Sequence, residues 1–211
     1  MSSTRGRNAT KEETRAALIE AGLAEFAERG LDTPSLDAIC ARAGYTRGAF
    51  YVHFADRDDF MVAVMERVLG TFLDAVIATG DSAHDLEETV TRFAHVVAAP
   101  AGPVATPPVT PLPGGVPLHR LLDACARSTT IRERLVSLLG QAAMRVAETA
   151  KTGQAAGVVR RDIDAEQVGM LLVTAALGLM TAVEIGMPID AAALRSVALR
   201  LMADIRYPNS P

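Results

Sequence analysis

The sequence has no tryptophan, and only nine of its 211 residues are aromatic, so the residues typical of β-sheet cores are scarce. Alanine, leucine and straight-chain charged residues are abundant instead, which favours α-helices. Hydrophobic residues make up 49% of the chain, and that content excludes disorder for most of its length. Length and composition therefore predict an all-α protein of one domain, or a small module fused to a larger one.

Cysteine and histidine are too sparse to suggest a metal site. Cys40 and Cys125 lie too far apart for a disulfide framework, and both fall in helical apolar patterns, which predicts buried free thiols. His84, His95 and His119 are scattered along the chain. No nucleophile–base pair and no glycine-rich phosphate loop is visible. We therefore expect no enzyme, no cofactor and no bound metal.

Positive charge is also in short supply, with a formal net charge of −4 and almost no lysine. The deficit is uneven, because residues 1–57 are neutral and residues 58–211 carry the whole acidic excess. Six of the nine aromatic residues lie between Phe26 and Phe60. This asymmetry indicates a separate N-terminal module. The first residues lack an apolar stretch, so no signal peptide is predicted and a cytoplasmic location is expected.

Apolar periodicity and capping residues predict a series of helices. The first starts near Lys11 and ends at Gly30, and a hydroxyl beside Pro34, that of Thr33 or Ser35, is expected to cap the second. Gly44 provides a sharp turn, after which Thr46 caps a third helix that runs to about Phe54. Two short helices joined in this way form a helix-turn-helix. Further helices are predicted over about 56–78, 82–99, 118–126, 130–151, 164–185 and 190–206, with glycines at 153 and 157 ending the seventh.

Two later segments are unusual. Residues 100–117 hold seven of the eleven prolines, which predicts a long loop, either mobile or lying over an apolar cavity. Between Glu166 and Glu184 there are 17 uncharged residues, a length that is marginal for a membrane span. A helix that packs on its own domain with one side and on a partner chain with the other explains this segment more simply. No membrane association is predicted.

The most informative segment runs from Ala43 to Phe54 and reads AGYTRGAFYVHF. It closely resembles the turn and recognition helix of the TetR family of bacterial transcriptional repressors, which follow the pattern Ala-Gly-x-Ser/Thr-x-Gly-x-Leu/Phe-Tyr-x-His-Phe. The segment from Phe26 to Gly30 also resembles the first helix of that family. The similarity of motifs covers about residues 12–65.

The chemistry of this motif suits a helix in the DNA major groove. Arg47 can bind guanine through two hydrogen bonds, and Gly48 has no side chain to block close approach to the bases. Hydroxyl and imidazole groups beside them can hold phosphates. Tyr51 could instead pack on the first helix, and His53 could be a core histidine. The predicted DNA-binding residues are Ser35, Tyr45, Thr46, Arg47, Gly48, Ala49, Tyr51, His53 and Arg57.

The segment also departs from the family pattern. Asp37 stands where the family often carries a basic or neutral residue, and its carboxylate would repel phosphate or accept a hydrogen bond from cytosine. Ala41 replaces a frequent lysine, and Pro34 replaces a frequent hydroxyl residue. These changes affect operator affinity rather than the fold.

The resemblance implies an architecture of about nine helices. Residues 1–55 would form the helix-turn-helix DNA-binding domain, and residues 56–211 a helical domain for effector binding and dimerisation. The expected function is repression through a palindromic operator bound by a homodimer, with dimer contacts within about residues 164–206. A small apolar effector is expected to release the protein from DNA. The alternative is a constitutive DNA-binding regulator or activator whose C-terminal domain serves only dimerisation or interaction.

Apolar residues of the C-terminal segment are candidates for lining an effector pocket, although any one of them could be plain core. They are Met61, Met65, Phe93, Val97, Leu122, Met144, Leu172 and Met180.

Overall fold

The computed structural model describes residues 3–30, 34–98 and 117–203, with side chains from residue 11 onwards. Within these ranges the chain forms nine helices and no strand, apart from one isolated bridge between Val159 and Ala203. This confirms the predicted all-α fold. The helices are α1 (Ser3–Arg29), α2 (Leu36–Ala43), α3 (Arg47–His53), α4 (Arg57–Val76), α5 (Asp85–Ala98), α6 (Leu118–Arg127), α7 (Thr129–Ala156), α8 (Ala165–Glu184) and α9 (Ala191–Met202).

Two predicted helix ends were wrong. Helix α1 begins at Ser3 rather than near Lys11, and α7 continues through Gly153 to Ala156. A Cβ at Gly153 would lie 3.3 Å from the Cβ of Val159 and 3.2 Å from the carbonyl oxygen of Ala83. Glycine at residue 153 therefore allows Val159 and Ala83 to pack closely against α7. The helix ends before Gly157, whose φ is +74°. The proline-rich segment 100–117 lies outside the described residues, except for residue 117.

Internal contacts divide the chain into two compact units. Among the described residues, the first unit contains α1 to α3, most of α4, α6 and the start of α7. The second contains the end of α4, α5, the rest of α7, α8 and α9. The functional boundary placed between residues 55 and 56 stays a prediction.

A cluster of phenylalanines forms the core of the first unit. Phe26, Phe50, Phe54 and Phe60 are each at most 2% exposed. The ring centroids of Phe54 and Phe60 are 4.9 Å apart, and those of Phe50 and Phe60 are 5.2 Å apart. Gly22 on α1 leaves room for Phe60, since a Cβ at residue 22 would lie 2.8 Å from Cε1 of that ring. These contacts hold α3 and the start of α4 against α1.

The second unit has an aliphatic core. Its buried members come from α5, α7, α8 and α9, from the residue after α4 and from the segment before α8. They are Ile77, Leu86, Ala142, Val146, Ala150, Val159, Ala165, Val168 and Met202. Helix α8 packs closely on α7 at Gly169, where a Cβ would lie 3.1 Å from the carbonyl carbon of Ala143. Arg195 on α9 donates to Oγ1 of Thr91 on α5 at 2.7 Å.

Helix α8 is long and apolar enough to span a membrane by length and composition alone. Its inner side is buried at Val168, Gly169 and Met180, whereas Met170 and Leu171 on the other side are 54% and 62% exposed. Within a single chain, α8 is therefore buried on one side only.

Candidate nucleic-acid interface

The turn between α2 and α3 is built from local hydrogen bonds. Oγ of Ser35 accepts from the backbone N–H of Ala38 at 3.1 Å and starts α2. Gly44 ends this helix with φ +76°, in the left-handed region that favours glycine. Oγ1 of Thr46 then accepts from the backbone N–H of Ala49 at 3.2 Å and starts α3. The predicted helix-turn-helix and its two caps are confirmed.

Helix α3 has an inner side and an outer side. Phe50 is fully buried and anchors the helix in the phenylalanine cluster. On the other side, the Arg47 side chain is 57% exposed and Tyr51 is 54% exposed, while Gly48 also faces solvent. Tyr45, in the turn, is 37% exposed. The side chains expected to face DNA therefore lie on an open surface, as such contacts require.

The hydroxyls of Ser35 and Thr46 act as helix caps in this structure. Each oxygen accepts a backbone N–H, so the hydroxyl hydrogen is left to donate to another group such as a phosphate oxygen. Their contact with DNA stays a prediction. Ala49, the small residue beside them, is half-buried on α3.

His53 lies at the end of α3, half-buried, with its ring centroid 6.3 Å from that of Phe54. The pKa of His53 is lowered, first because its ring is partly withdrawn from water and then because Lys11 and Arg15 are nearby cations. The guanidinium carbon of Arg15 lies 5.3 Å from the centroid of the Phe54 ring. The motif singled out His53 but missed these two cations of α1, because their closeness depends on how α1 packs against α3.

Arg57 ties α4 to the segment before α2. Its Nη1 donates to the carbonyl oxygen of Pro34 at 2.7 Å. Sequence reasoning proposed a phosphate contact for this arginine and did not foresee the backbone contact. The phosphate contact stays a prediction, and the observed bond fixes the start of α4 beside the start of α2.

Arg47 also has a partner that was not expected. Its Nε lies 3.0 Å from Oδ1 of Asp37, in the first turn of α2. The aspartate side chain is 68% exposed, so the pair lies at the surface. Opposite charges ten residues apart were visible in the sequence, but nothing local shows that the turn at Gly44 brings them together.

The candidate pocket residues differ in burial. Met61, Met65 and Met180 are buried, Phe93, Val97 and Leu172 are half-buried, and Leu122 and Met144 are 46% and 67% exposed. Burial alone does not separate a pocket wall from plain core, so their assignment as effector contacts stays a prediction.

Other chemistry is limited in the part of the chain that the structure describes. No group of three His, Cys, Asp or Glu side chains there is placed to hold a metal ion. Cys40 and Cys125 are buried free thiols, as expected, and burial raises the pKa of both.

Comparison with known proteins identifies the family of the helix-turn-helix. Residues 18–64 match the family model of the bacterial regulatory proteins of the TetR family. The helix-turn-helix segment of this chain is that of the TetR family. Members of this family are regulators, which confirms the prediction that the chain is not an enzyme.

Two curated relatives of this chain show how far the similarity extends. An uncharacterised HTH-type transcriptional regulator, YwcC of Bacillus subtilis (strain 168), is 40% identical over 57 residues, which cover 27% of this chain and 26% of that protein. The match thus spans about a quarter of the relative's length. The uncharacterised regulator Mb2936c of Mycobacterium bovis is 28% identical over 145 residues, covering 67% and 68% of the two chains.

The fold extends beyond the motif. The structure of the SmeT–triclosan complex superposes with a TM-score of 0.69 at 23% identity, covering 92% of this chain and 93% of SmeT. At that identity the likeness shows the fold. The predicted fold class, an N-terminal helix-turn-helix followed by a helical C-terminal domain, is confirmed.

Proposed function

We propose that this chain is a transcriptional repressor that binds a palindromic operator as a homodimer and is released by a small apolar effector. The observation that carries the proposal is the outer side of α3. Phe50 anchors the helix from within, while Arg47, Gly48 and Tyr51 face solvent on a surface with little bulk in its first turn. A helix presented in this way fits the major groove of DNA.

The side chains of this surface divide into two roles. Arg47 reads a guanine, because a guanidinium matches the O6 and N7 acceptors of that base. Tyr51 and His53 bind phosphate oxygens, which fix the position of the helix without reading sequence. Ser35, Thr46 and Arg57 add donors at the starts of three helices, where the positive ends of the helix dipoles also favour phosphate.

An exposed apolar surface on α8 and α9 supports the homodimer. Leu171 is 62% exposed, and on α9 Leu194, Val197 and Leu201 are 41%, 53% and 62% exposed at helical spacing. Exposed apolar side chains repeated at helical spacing on one helix are typical of a protein interface. A symmetric dimer presents two copies of α3 to half-sites about 34 Å apart, or a multiple of that distance.

Release by an effector follows from thermodynamic linkage. A ligand that binds better to a state with misplaced α3 helices weakens DNA binding by the same differential affinity. Only three residues separate α4 from α3, and α4 continues to Val76, so it is the part of the chain suited to transmit such a change. Met61 and Met65 on this helix are candidate effector contacts, and the structural neighbour SmeT was crystallised with triclosan.

The test is binding of the full chain to the DNA upstream of its own gene, measured by footprinting at several salt concentrations. A dimeric repressor protects a palindrome, and its affinity falls steeply as salt rises. Absence of any protected palindrome on that DNA and on a randomised DNA library would contradict the proposal.

The effector part has a separate test. The protein–operator complex is titrated with a library of apolar small molecules that includes triclosan, and operator affinity is measured for each. At least one compound is expected to weaken binding. Unchanged affinity across the library, with operator binding intact, would instead support a constitutive regulator.

A further inference from the structure

We propose that Asp37 is a specificity-determining residue that acts through Arg47. The Asp37 carboxylate contacts the guanidinium of Arg47 at Nε and offsets the positive charge of the arginine. Arg47 is thereby directed to a base and kept from binding DNA phosphates irrespective of sequence. This inference rests on the proposed function of α3 as the DNA-reading helix.

The geometry of the pair is set by the turn. Asp37 follows the cap Ser35 by two residues, and Arg47 follows the cap Thr46 by one. Both caps are hydrogen-bonded, and Gly44 between the helices holds its left-handed conformation. The closest approach within the pair is the 3.0 Å between Oδ1 of Asp37 and Nε of Arg47.

The chemistry of the guanidinium gives this contact a consequence. An arginine presents a planar fork with five N–H donors, and the two terminal nitrogens together match the O6 and N7 of guanine. A carboxylate bound at Nε leaves the Nη1 and Nη2 edge available for that contact. It also restrains a flexible side chain before binding, which reduces the entropy lost when the base contact forms.

The charge of the pair has a second consequence. With Asp37 beside it, at 3.0 Å, Arg47 adds almost no net positive charge to the DNA-facing surface. Without Asp37, the exposed Arg47 would attract phosphates on every sequence and would raise non-specific affinity. The aspartate thus lowers binding to wrong sites more than binding to the operator.

The test compares the full-length wild type with Asp37→Asn and Asp37→Glu on the operator and on an unrelated duplex of the same length, at several salt concentrations. Asp37→Asn is expected to bind the unrelated duplex about two- to fivefold more tightly and to lower the ratio of operator to unrelated affinity by a similar factor. On the unrelated duplex its logarithmic salt slope becomes more negative by about 0.9, the value for one added phosphate contact. Asp37→Glu retains the charge and stays close to wild type.

Two further variants separate this mechanism from a change in net charge or in folding. Glu133→Gln removes one negative charge from an exposed position on α7 and is expected to leave the affinity ratio unchanged. If circular dichroism shows that Asp37→Asn folds poorly, Asp37→Ser takes its place, because serine is tolerated near a helix start. The same change in the affinity ratio is expected for this variant.

The decisive measurement is the effect of Asp37→Asn in the Arg47→Ala background. If Asp37 acts through Arg47, the affinity ratio does not change further there. The inference is overturned if Asp37→Asn lowers the ratio of operator to unrelated affinity equally in the wild-type and Arg47→Ala backgrounds. It is also overturned if Asp37→Asn leaves that ratio unchanged in the wild-type background. A wild type that prefers no sequence overturns the proposed function and the inference with it, whereas a selective wild type with unaffected variants overturns the inference alone.

Discussion

Arg42 on α2 and Glu25 on α1 form a partly buried ion pair, with Nε of the arginine 2.7 Å from Oε1 of the glutamate. The Glu25 side chain is only 4% exposed, and its Oε2 has no hydrogen-bond partner among the described residues, although Arg29 lies 3.4 Å from it. Arg42 also donates to Glu28 at 2.5 Å, and these two hydrogen bonds raise the pKa of Arg42. The arginine therefore compensates a buried charge and joins the first two helices of the DNA-binding unit.

Removal of Arg42 is expected to destabilise the protein. Arg42→Ala leaves the Glu25 carboxylate, whose side chain is 4% exposed, without its main partner, and removing one partner of such a pair destabilises the fold. Urea unfolding measures the loss. The control Arg132→Ala removes an exposed arginine of α7 and should change stability by less than about 0.5 kcal/mol. Equal effects of the two substitutions would show that the Glu25 pair contributes nothing particular.

Replacement of Arg47 and of His53 by alanine should change DNA binding in different ways. Arg47→Ala is expected to relax discrimination at one base pair per half-site, by about 1–3 kcal/mol. His53→Ala should weaken all sequences alike, because a phosphate contact carries no sequence information. Base discrimination and overall affinity are both measured by titrating each variant with a set of operators that carry single base-pair changes. Equal losses on every sequence for both variants would refute this division.

The lowered pKa of His53 predicts a pH-dependent stability. The folded protein keeps the imidazole neutral below pH 6.5, where the unfolded chain already binds a proton. The contribution of His53 to stability is therefore present above pH 6.5 and is lost as pH falls towards the lowered pKa. Urea unfolding between pH 7.5 and 5 measures the slope, and His53→Gln should make it shallower. An unchanged slope in that variant would show that another group is responsible.

DNA should act on His53 in the opposite direction. A phosphate near the imidazole raises its pKa, so binding takes up a proton and operator affinity increases as pH falls from 7.5 towards 6. Operator titrations of wild type and His53→Gln over this range measure the effect. If both proteins respond equally to pH, His53 does not contact a phosphate.

Two glycines of the second unit should respond oppositely to alanine. Gly169→Ala places a methyl group against the Ala143 carbonyl of α7 and is expected to cost about 1–3 kcal/mol. Gly140→Ala lies in α7 with nothing within 4 Å of the added Cβ and should stabilise by about 0.5–1 kcal/mol through helix propensity. Thermal unfolding of both variants distinguishes them. A neutral Gly169→Ala would mean that α8 can move away from α7 without loss.

The exposed apolar residues of α8 and α9 form the proposed dimer interface, and a charged side chain introduced there should prevent dimerisation. Leu201→Glu should convert the dimer to a folded monomer, because the side chain is exposed within one chain and would be desolvated between two. Analytical ultracentrifugation measures the mass of the variant in solution. Its operator affinity should be lower than that of the wild type, because a monomer presents only one α3. Val136→Glu, at an equally exposed position on α7, is the control that should remain dimeric. A monomeric wild type, or a dimeric Leu201→Glu, would contradict the assignment.

Features that depend on neighbours within a few residues could be predicted from the sequence. Ser35, Thr46, Asp164 and Asp190 cap the helices that their positions predicted, because each side chain accepts a backbone N–H two or three residues later. Gly44 takes the left-handed turn for the same local reason. The helix-turn-helix, its family and the all-α fold followed from such patterns.

Contacts between residues far apart in the chain could not be predicted in this way, because they depend on how the helices pack. The partnership of Arg47 with Asp37, and that of Arg42 with Glu25, depend on how short helices cross, which no local spacing specifies. Met144 was likewise named as a candidate pocket residue because it is apolar, yet its side chain is 67% exposed in the fold. Local hydrogen bonds are specified by adjacent residues, whereas ion pairs and burial depend on the sum of many weak packing contacts between helices.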